Sequence, residues 1–214
     1  MTDASKFTAA WPPKLPLVAI LRGLQPERAA DIARALFDAG FRAIEVPLNR
    51  PGALEAIATV VALAPSDAWV GAGTVLETSQ VDAVADTGAG LIVSPHFDAA
   101  VVRRARERGA RSVPGVFTAS EAFAAWRAGA DALKIFPAEA MTHDGLKGLT
   151  TVLPAALPLW PVGSIVPGNV AAWRRAGATG FGLGGGLFKP ELGVDEIATR
   201  ARAYVDAWEA GTGA

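Results

Sequence analysis

The chain has 214 residues, no cysteine and a formal net charge of −1. That excludes disulfides, thiolate zinc sites and a cysteine nucleophile, and it gives no electrostatic footing for nucleic acid. Hydrophobic residues make up 51%, with 23 Gly and 15 Pro, which suits one large core with many turns. No apolar run is long enough to span a membrane. Residues 1–13 lack a signal-peptide core, so a cytoplasmic protein that engages no membrane is expected.

Residues 3–11 read as a short helix before the Pro12-Pro13 break. The run 17–21 (Leu-Val-Ala-Ile-Leu) is a first buried strand, ending in Arg22-Gly23. Pro26 starts a helix to about Ala39, closed by Gly40. Residues 43–48 form a second strand, 51–64 a second helix, 69–74 a third strand and 91–95 a fourth. A short fifth strand covers 111–115, a sixth lies in 131–139, a seventh in 159–163 and an eighth in 180–184. Amphipathic stretches at 98–108, 119–128 and 166–175 lie between them, and a last helix covers about 195–209.

Eight strands alternating with helices at a period of roughly 20–27 residues imply a parallel sheet closed as a (β/α)8 TIM barrel. No linker breaks the pattern. The expected organisation is one domain over 1–214, with a leader and short helix in 1–14 and the barrel at about 15–209. A doubly wound open sheet is the alternative. It usually carries a G-x-G-x-x-G turn after an early strand, and Arg22-Gly23-Leu24-Gln25-Pro26 is not that turn.

A barrel places its working residues at the C-terminal ends of strands. Of five lysines, only Lys134 sits inside an apolar strand, flanked by Leu133, Ile135 and Phe136. A buried ammonium is costly unless it is paired or loses its proton. A free amine can attack a carbonyl and form a Schiff base. The plainer alternative is a lysine at a strand end whose head reaches water or a carboxylate. Strand alternation puts Ile44, Val46 and Leu48 toward the helices and Glu45 inward, and likewise Leu133 and Ile135 outward and Lys134 inward. A carboxylate and an amine thus both project into the barrel. As a structural ion pair they would be a poor stabiliser, which favours a site. Val162-Gly163-Ser164 and Leu183-Gly184-Gly185-Gly186 follow the seventh and eighth strands, where barrels often hold a phosphate on backbone N–H groups. Tight turns are the alternative use of those glycines.

Taken in order, Ile44-Glu-Val-Pro-Leu-Asn49, Gly71-Ala-Gly-Thr-Val75, Ser94-Pro95, Pro114-Gly115, Leu133-Lys-Ile-Phe-Pro-Ala-Glu139, Pro161-Val-Gly163 and Leu183-Gly-Gly185 make the chain resemble the class I 2-keto-3-deoxy-6-phosphogluconate/6-phosphogalactonate aldolases from about Leu15 to Trp208. The segments 18–23 and 45–49 look more like the phosphogalactonate branch, with Asn49 where the gluconate branch has an arginine. The resemblance implies that Lys134 forms an imine with the C2 ketone and that Glu45 is the general base. It implies products pyruvate and D-glyceraldehyde 3-phosphate, with no cofactor beyond the covalent imine. It places Arg22 and Thr74 on the pyruvate carboxylate, Pro95 and Phe136 beside the substrate, and Gly163, Ser164, Gly184 and Gly185 at the phosphate. It implies a homotrimer that takes a small 2-keto-3-deoxy sugar acid phosphate.

Family members often have Gly-Gly after the seventh strand and a serine after the eighth, where Ser164 and Gly185-Gly186 stand here. His96 follows Ser94-Pro95 and reads as a rim residue facing water, with substrate contact as the alternative; His143 is given no role. No H-x-H or H-x-x-x-H pair points to metal, and an imine sink needs none, although a carboxylate-bound Mg2+ stays open. The same chemistry on the gluconate epimer or on 4-hydroxy-2-oxoglutarate stays open too. So do, outside the class, a phosphate-binding barrel transferase or isomerase and a non-catalytic sugar-phosphate binder.

Overall fold

A computed structural model describes residues 9–211. Of the helix expected over 3–11, residues 3–8 lie outside them, and residues 9–11 are not helical. Strands and helices then alternate along the chain, all strand pairs being parallel. Strand β1 (Leu17–Ile20) leads to helix α1 (Pro26–Asp38), β2 (Ala43–Pro47) to α2 (Ala53–Leu63), and β3 (Trp69–Gly73) to α3 (Thr78–Asp86). Next come β4 (Leu91–Val93), α4 (Ala99–Glu107), β5 (Arg111–Val113), β6 (Gly115–Val116) and α5 (Ala119–Ala128). Strand β7 (Leu133–Ile135) precedes α6 (His143–Thr150), β8 (Leu159–Pro161) precedes α7 (Pro167–Arg175), and β9 (Phe181–Leu183) precedes α8 (Val194–Ala210). None of the described helices is long and apolar enough to cross a membrane.

Local chemistry explains the helix limits. Pro26 occupies the first turn of α1, whose buried Ala29, Ile32, Ala33, Leu36 and Phe37 trace one helical face. The Asp98 carboxylate accepts from the N–H of Ala100 at 2.6 Å and opens α4. Thr118 and Glu121 form a reciprocal capping box on α5, and Gly129 at φ 97° closes it.

Six strands form one sheet in the order β5-β4-β3-β2-β1-β9, and three form another in the order β6-β7-β8. The expected fifth strand is thus two pieces, because Pro114 has no N–H to give to the ladder. The two pieces serve different neighbours: β5 pairs with β4, and β6 pairs with β7. The N–H of Lys134 bonds to Pro114 O at 3.0 Å between them. On the other flank Val162 bridges to Gly182, so β8 meets β9.

Burial follows the pleat. Leu17, Ala19, Ile44, Val46, Leu133 and Ile135 pack under the helices in one large core. Val18, Ala43, Trp69, Leu91, Val93, Val113, Ala132 and Trp160 form a second core on the opposite faces of the strands. Glu45 and Lys134 fall in the alternation with this inner set, as expected.

Candidate active site

Glu45 and Lys134 come from strands in different sheets and are both buried, at 1% and 7% exposure. They line one cavity of about 480 Å³, and no ion pair joins them among the described residues. Glu45 Oε2 is buried with no hydrogen-bond partner. Burial pushes the Glu45 carboxyl up from 4.5 to about 7, against the opposing charges of Lys134 and Arg22. Burial also lowers the Lys134 ammonium, against the pull of Glu45 and with the help of Arg22. The Lys134 Nζ lies 4.8 Å from the centroid of the Phe136 ring. A carboxyl that titrates near neutrality and a depressed amine in one cavity are suited to proton transfer and carbonyl attack.

The neighbouring backbone is shaped around this pair. Glu45 stands opposite Gly71 in the ladder, and a Cβ at Gly73 would run into the Glu45 carboxylate. A Cβ at Gly71 would run into the backbone of Leu91. The Gly-Ala-Gly motif therefore clears space on both sides of β3. Thr74 follows at φ 57°, a left-handed conformation that is strained for a β-branched residue, and it lines the cavity. Arg22, an exposed residue just past β1, also lines it.

The far wall is built from the loops after β8 and β9. Gly163, Ser164, Gly184, Gly185 and Gly186 line it. Ser164 sits at φ 52°, where glycine costs less. Asn169 holds this turn, donating to Ser164 O at 2.9 Å and accepting from the Val166 N–H at 3.0 Å. Gly184 and Gly185 face open space, so their backbone is free to approach a ligand. Gly186 has another reason to be glycine: a Cβ there would meet the Tyr204 hydroxyl, which donates to Ile165 O at 2.8 Å.

The cavity thus gathers Arg22, Glu45, Thr74, Lys134, Phe136, Gly163, Ser164, Gly184 and Gly185. Pro95 is not among its lining residues; its carbonyl lies where a Cβ of Gly115 would be. His96 is exposed and also off the lining, and His143 packs edge-on against Trp173 at 4.4 Å between α6 and α7. Sequence reasoning missed Lys189, which lines the cavity from the loop after β9. Its place in a loop that barrels use for phosphate was the available signal.

A family model described as KDPG and KHG aldolase matches residues 12–198. A probable 2-dehydro-3-deoxy-6-phosphogalactonate aldolase of Rhizobium meliloti is 44% identical over 199 residues, covering 93% of this chain and 94% of its own. The 2-dehydro-3-deoxy-6-phosphogalactonate aldolase of Escherichia coli is 45% identical, covering 92% and 97%. The KHG/KDPG aldolase of the same organism is 33% identical over 72% of each chain. Among solved structures, a native KDPGal structure superposes with TM-score 0.93 at 44% identity, covering 95% of this chain and 99% of that one. A KDPG aldolase of Legionella pneumophila, with pyruvate captured as a covalent carbinolamine, superposes with TM-score 0.78 at 26% identity, covering 90% and 95%.

Proposed function

The chain belongs to the KDPG and KHG aldolase family, and we propose that it cleaves 2-dehydro-3-deoxy-6-phosphogalactonate through an imine on Lys134. The observation that carries this reading is the buried pair of Glu45 and Lys134 lining one cavity. The galactonate branch is favoured over the gluconate one by identities of 44% and 45% against 33%.

Lys134, as the free amine, adds to C2 of the 2-keto acid and the carbinolamine loses water to give an iminium. The Glu45 carboxylate takes the proton of the C4 hydroxyl. The C3–C4 bond breaks, its electrons flow into the iminium, and glyceraldehyde 3-phosphate leaves as the aldehyde. The Glu45 carboxylic acid then returns its proton to C3 of the enamine. Water releases pyruvate and restores the amine, so no external cofactor is consumed. A carboxyl titrating at about 7 serves both proton steps at neutral pH. Arg22 takes the pyruvate carboxylate with its two-pronged guanidinium, beside Thr74. Phe136 packs along the imine, and Pro95 acts behind Gly115 rather than on substrate. Backbone N–H groups at Gly163, Ser164, Gly184 and Gly185 receive the phosphate.

We read the architecture as one (β/α)8 barrel domain, in which residues 111–116 are a single strand interrupted at Pro114. The hydrogen bonds that flank that interruption and the bridge from Val162 to Gly182 support closure. A homotrimer is the assembly the family resemblance favours. Exposed Leu54, Leu76 and Phe117 give it apolar contact surface.

The test is pyruvate release from the two C4 epimers under identical conditions. The galactonate epimer is expected to give the higher kcat/KM. A preference for the gluconate epimer overturns the branch, and no pyruvate from either overturns the aldolase.

A further inference from the structure

Three basic side chains line the cavity: Arg22, Lys134 and Lys189. Lys189 lies in the loop after β9, the same loop that brings Gly184, Gly185 and Gly186 to the cavity. Its side chain is exposed and, among the described residues, makes no ion pair or hydrogen bond. An unengaged cation on a cavity wall is an anion-binding group in waiting.

The loop that carries it is fixed. The guanidinium of Arg28, on α1, donates to Pro190 O and, at 2.6 Å, to Leu192 O. Gly23, at φ 83°, lets the turn after β1 pack on Pro190, with only 3.1 Å between its would-be Cβ and the proline ring. Leu187 and Phe188 both donate backbone N–H groups to Gly184 O. A cation on a loop clamped on both sides of it needs little further ordering to engage a ligand.

The wall also needs a positive charge. The Glu139 carboxylate lies where a Cβ of Gly163 would be, and its sign opposes an anion at that glycine. Position 185 is glycine and offers only backbone here. We propose that Lys189 is the specificity-determining residue for the far end of the substrate, its ammonium binding the 6-phosphate and selecting phosphorylated over unphosphorylated sugar acids. This rests on the aldolase reading, since it presumes that the reacting C2 carbonyl lies at Lys134.

The experiment compares kcat/KM for 2-keto-3-deoxygalactonate with and without its 6-phosphate, in the wild type, Lys189→Met, Lys189→Glu and Lys189→Arg. Loss of one charge-assisted contact is expected to lower the phosphorylated-to-unphosphorylated ratio by about 10- to 100-fold in Lys189→Met, and further in Lys189→Glu. Lys189→Arg is expected to keep the ratio within about threefold, and inhibition by inorganic phosphate to weaken in the first two variants only. An unchanged ratio, whether both activities hold or both fall, overturns the assignment while leaving the aldolase intact. No pyruvate from the wild type with either substrate overturns both.

Discussion

The two ends of the strand layer are built on opposite plans. At the C-terminal end, polar groups are left unsatisfied. Glu45 Oε2 lacks a partner, Thr74 and Ser164 hold left-handed backbone, and a 480 Å³ cavity stays open. At the N-terminal end, nearly every such group is used. The ring of Trp11 meets Trp69 edge-on at 5.5 Å and lies 5.2 Å from Trp160. The indole N–H of Trp11 donates to Asp131 O at 3.1 Å, and that of Trp69 to Ala10 O at 3.0 Å. The Arg111 guanidinium covers both rings and donates to the Asp131 carboxylate at 2.7 Å. Among the described residues, Trp160 Nε1 and Ser112 Oγ are buried exceptions without a partner. One end is thus packed and hydrogen-bonded, while the other keeps costly groups poised.

That division is tested first by removing the poised groups. Lys134→Met and Glu45→Gln are each expected to lower kcat/KM by about 10³-fold or more, measured by pyruvate release. Both should also raise thermal stability. Burial lowers the Lys134 pKa, so its stability contribution is full at high pH and is lost as pH falls below the ordinary lysine value. At neutral pH the wild type carries that cost and Lys134→Met does not. Each kcal/mol recovered should raise the Tm by about 2–4 °C in a chain of this size. A Tm that drops in Lys134→Met would make this residue a structural one.

A subtler intrusion is Gly73→Ala. Its methyl group would displace the Glu45 carboxylate. A misplaced base should cost about 10- to 100-fold in kcat, while circular dichroism stays that of the wild type. Unchanged kcat would mean that the carboxylate can move freely without consequence.

The opposite end should answer in stability and not in rate. Trp11→Ala removes a half-buried indole with its hydrogen bond and ring contacts. It is expected to cost about 2–4 kcal/mol in urea unfolding and to leave kcat/KM within about twofold. A rate loss matching that of Gly73→Ala would erase the distinction between the ends.

The contrast between the ends also explains what could be read from sequence. Alternating apolar residues around Glu45 and Lys134 placed both side chains inward, because the period of a strand is two residues and the pleat obeys it. Glycines after β8 and β9 placed the far wall. The split at Pro114 was not legible, since it turns on which neighbour each half of the strand joins. Helix α3 was not singled out, because only Val81 and Val84 of its nine residues are buried and its apolar face is thin. Lys189 looked like any loop lysine; the contacts of its neighbours Pro190 and Leu192 with Arg28 and Gly23, which fix its loop at the cavity, needed coordinates. The motif Gly71-Ala-Gly73 carried a family signal whose physical cause, room for the Glu45 carboxylate and the Leu91 backbone, needed coordinates.

Smaller effects sharpen the same picture. Glu45 holds its proton up to about 7 in the folded protein but to only 4.5 when unfolded. Its contribution to stability is therefore complete below the lower value and is lost as pH rises through the higher one. Glu45→Gln should accordingly gain on the wild type in Tm as pH is raised from 5 to about 8, and a constant gap would contradict the burial of that carboxyl. Smallest of all, Ser164→Gly should relieve the left-handed strain at φ 52° and stabilise the fold by about 0.5–1 kcal/mol in urea unfolding, less the entropy glycine adds to the unfolded chain. A net loss beyond about 1 kcal/mol would mean the serine side chain holds the turn.

The central claim is that Lys134 is the accessible, imine-forming amine of the cavity. Incubation with pyruvate and sodium borohydride, followed by peptide mass mapping, tests it directly. The account predicts one reduced pyruvate adduct per chain, on Lys134, absent from Lys134→Met. An unlabelled Lys134, or label on Lys189 or another lysine in its place, would contradict it.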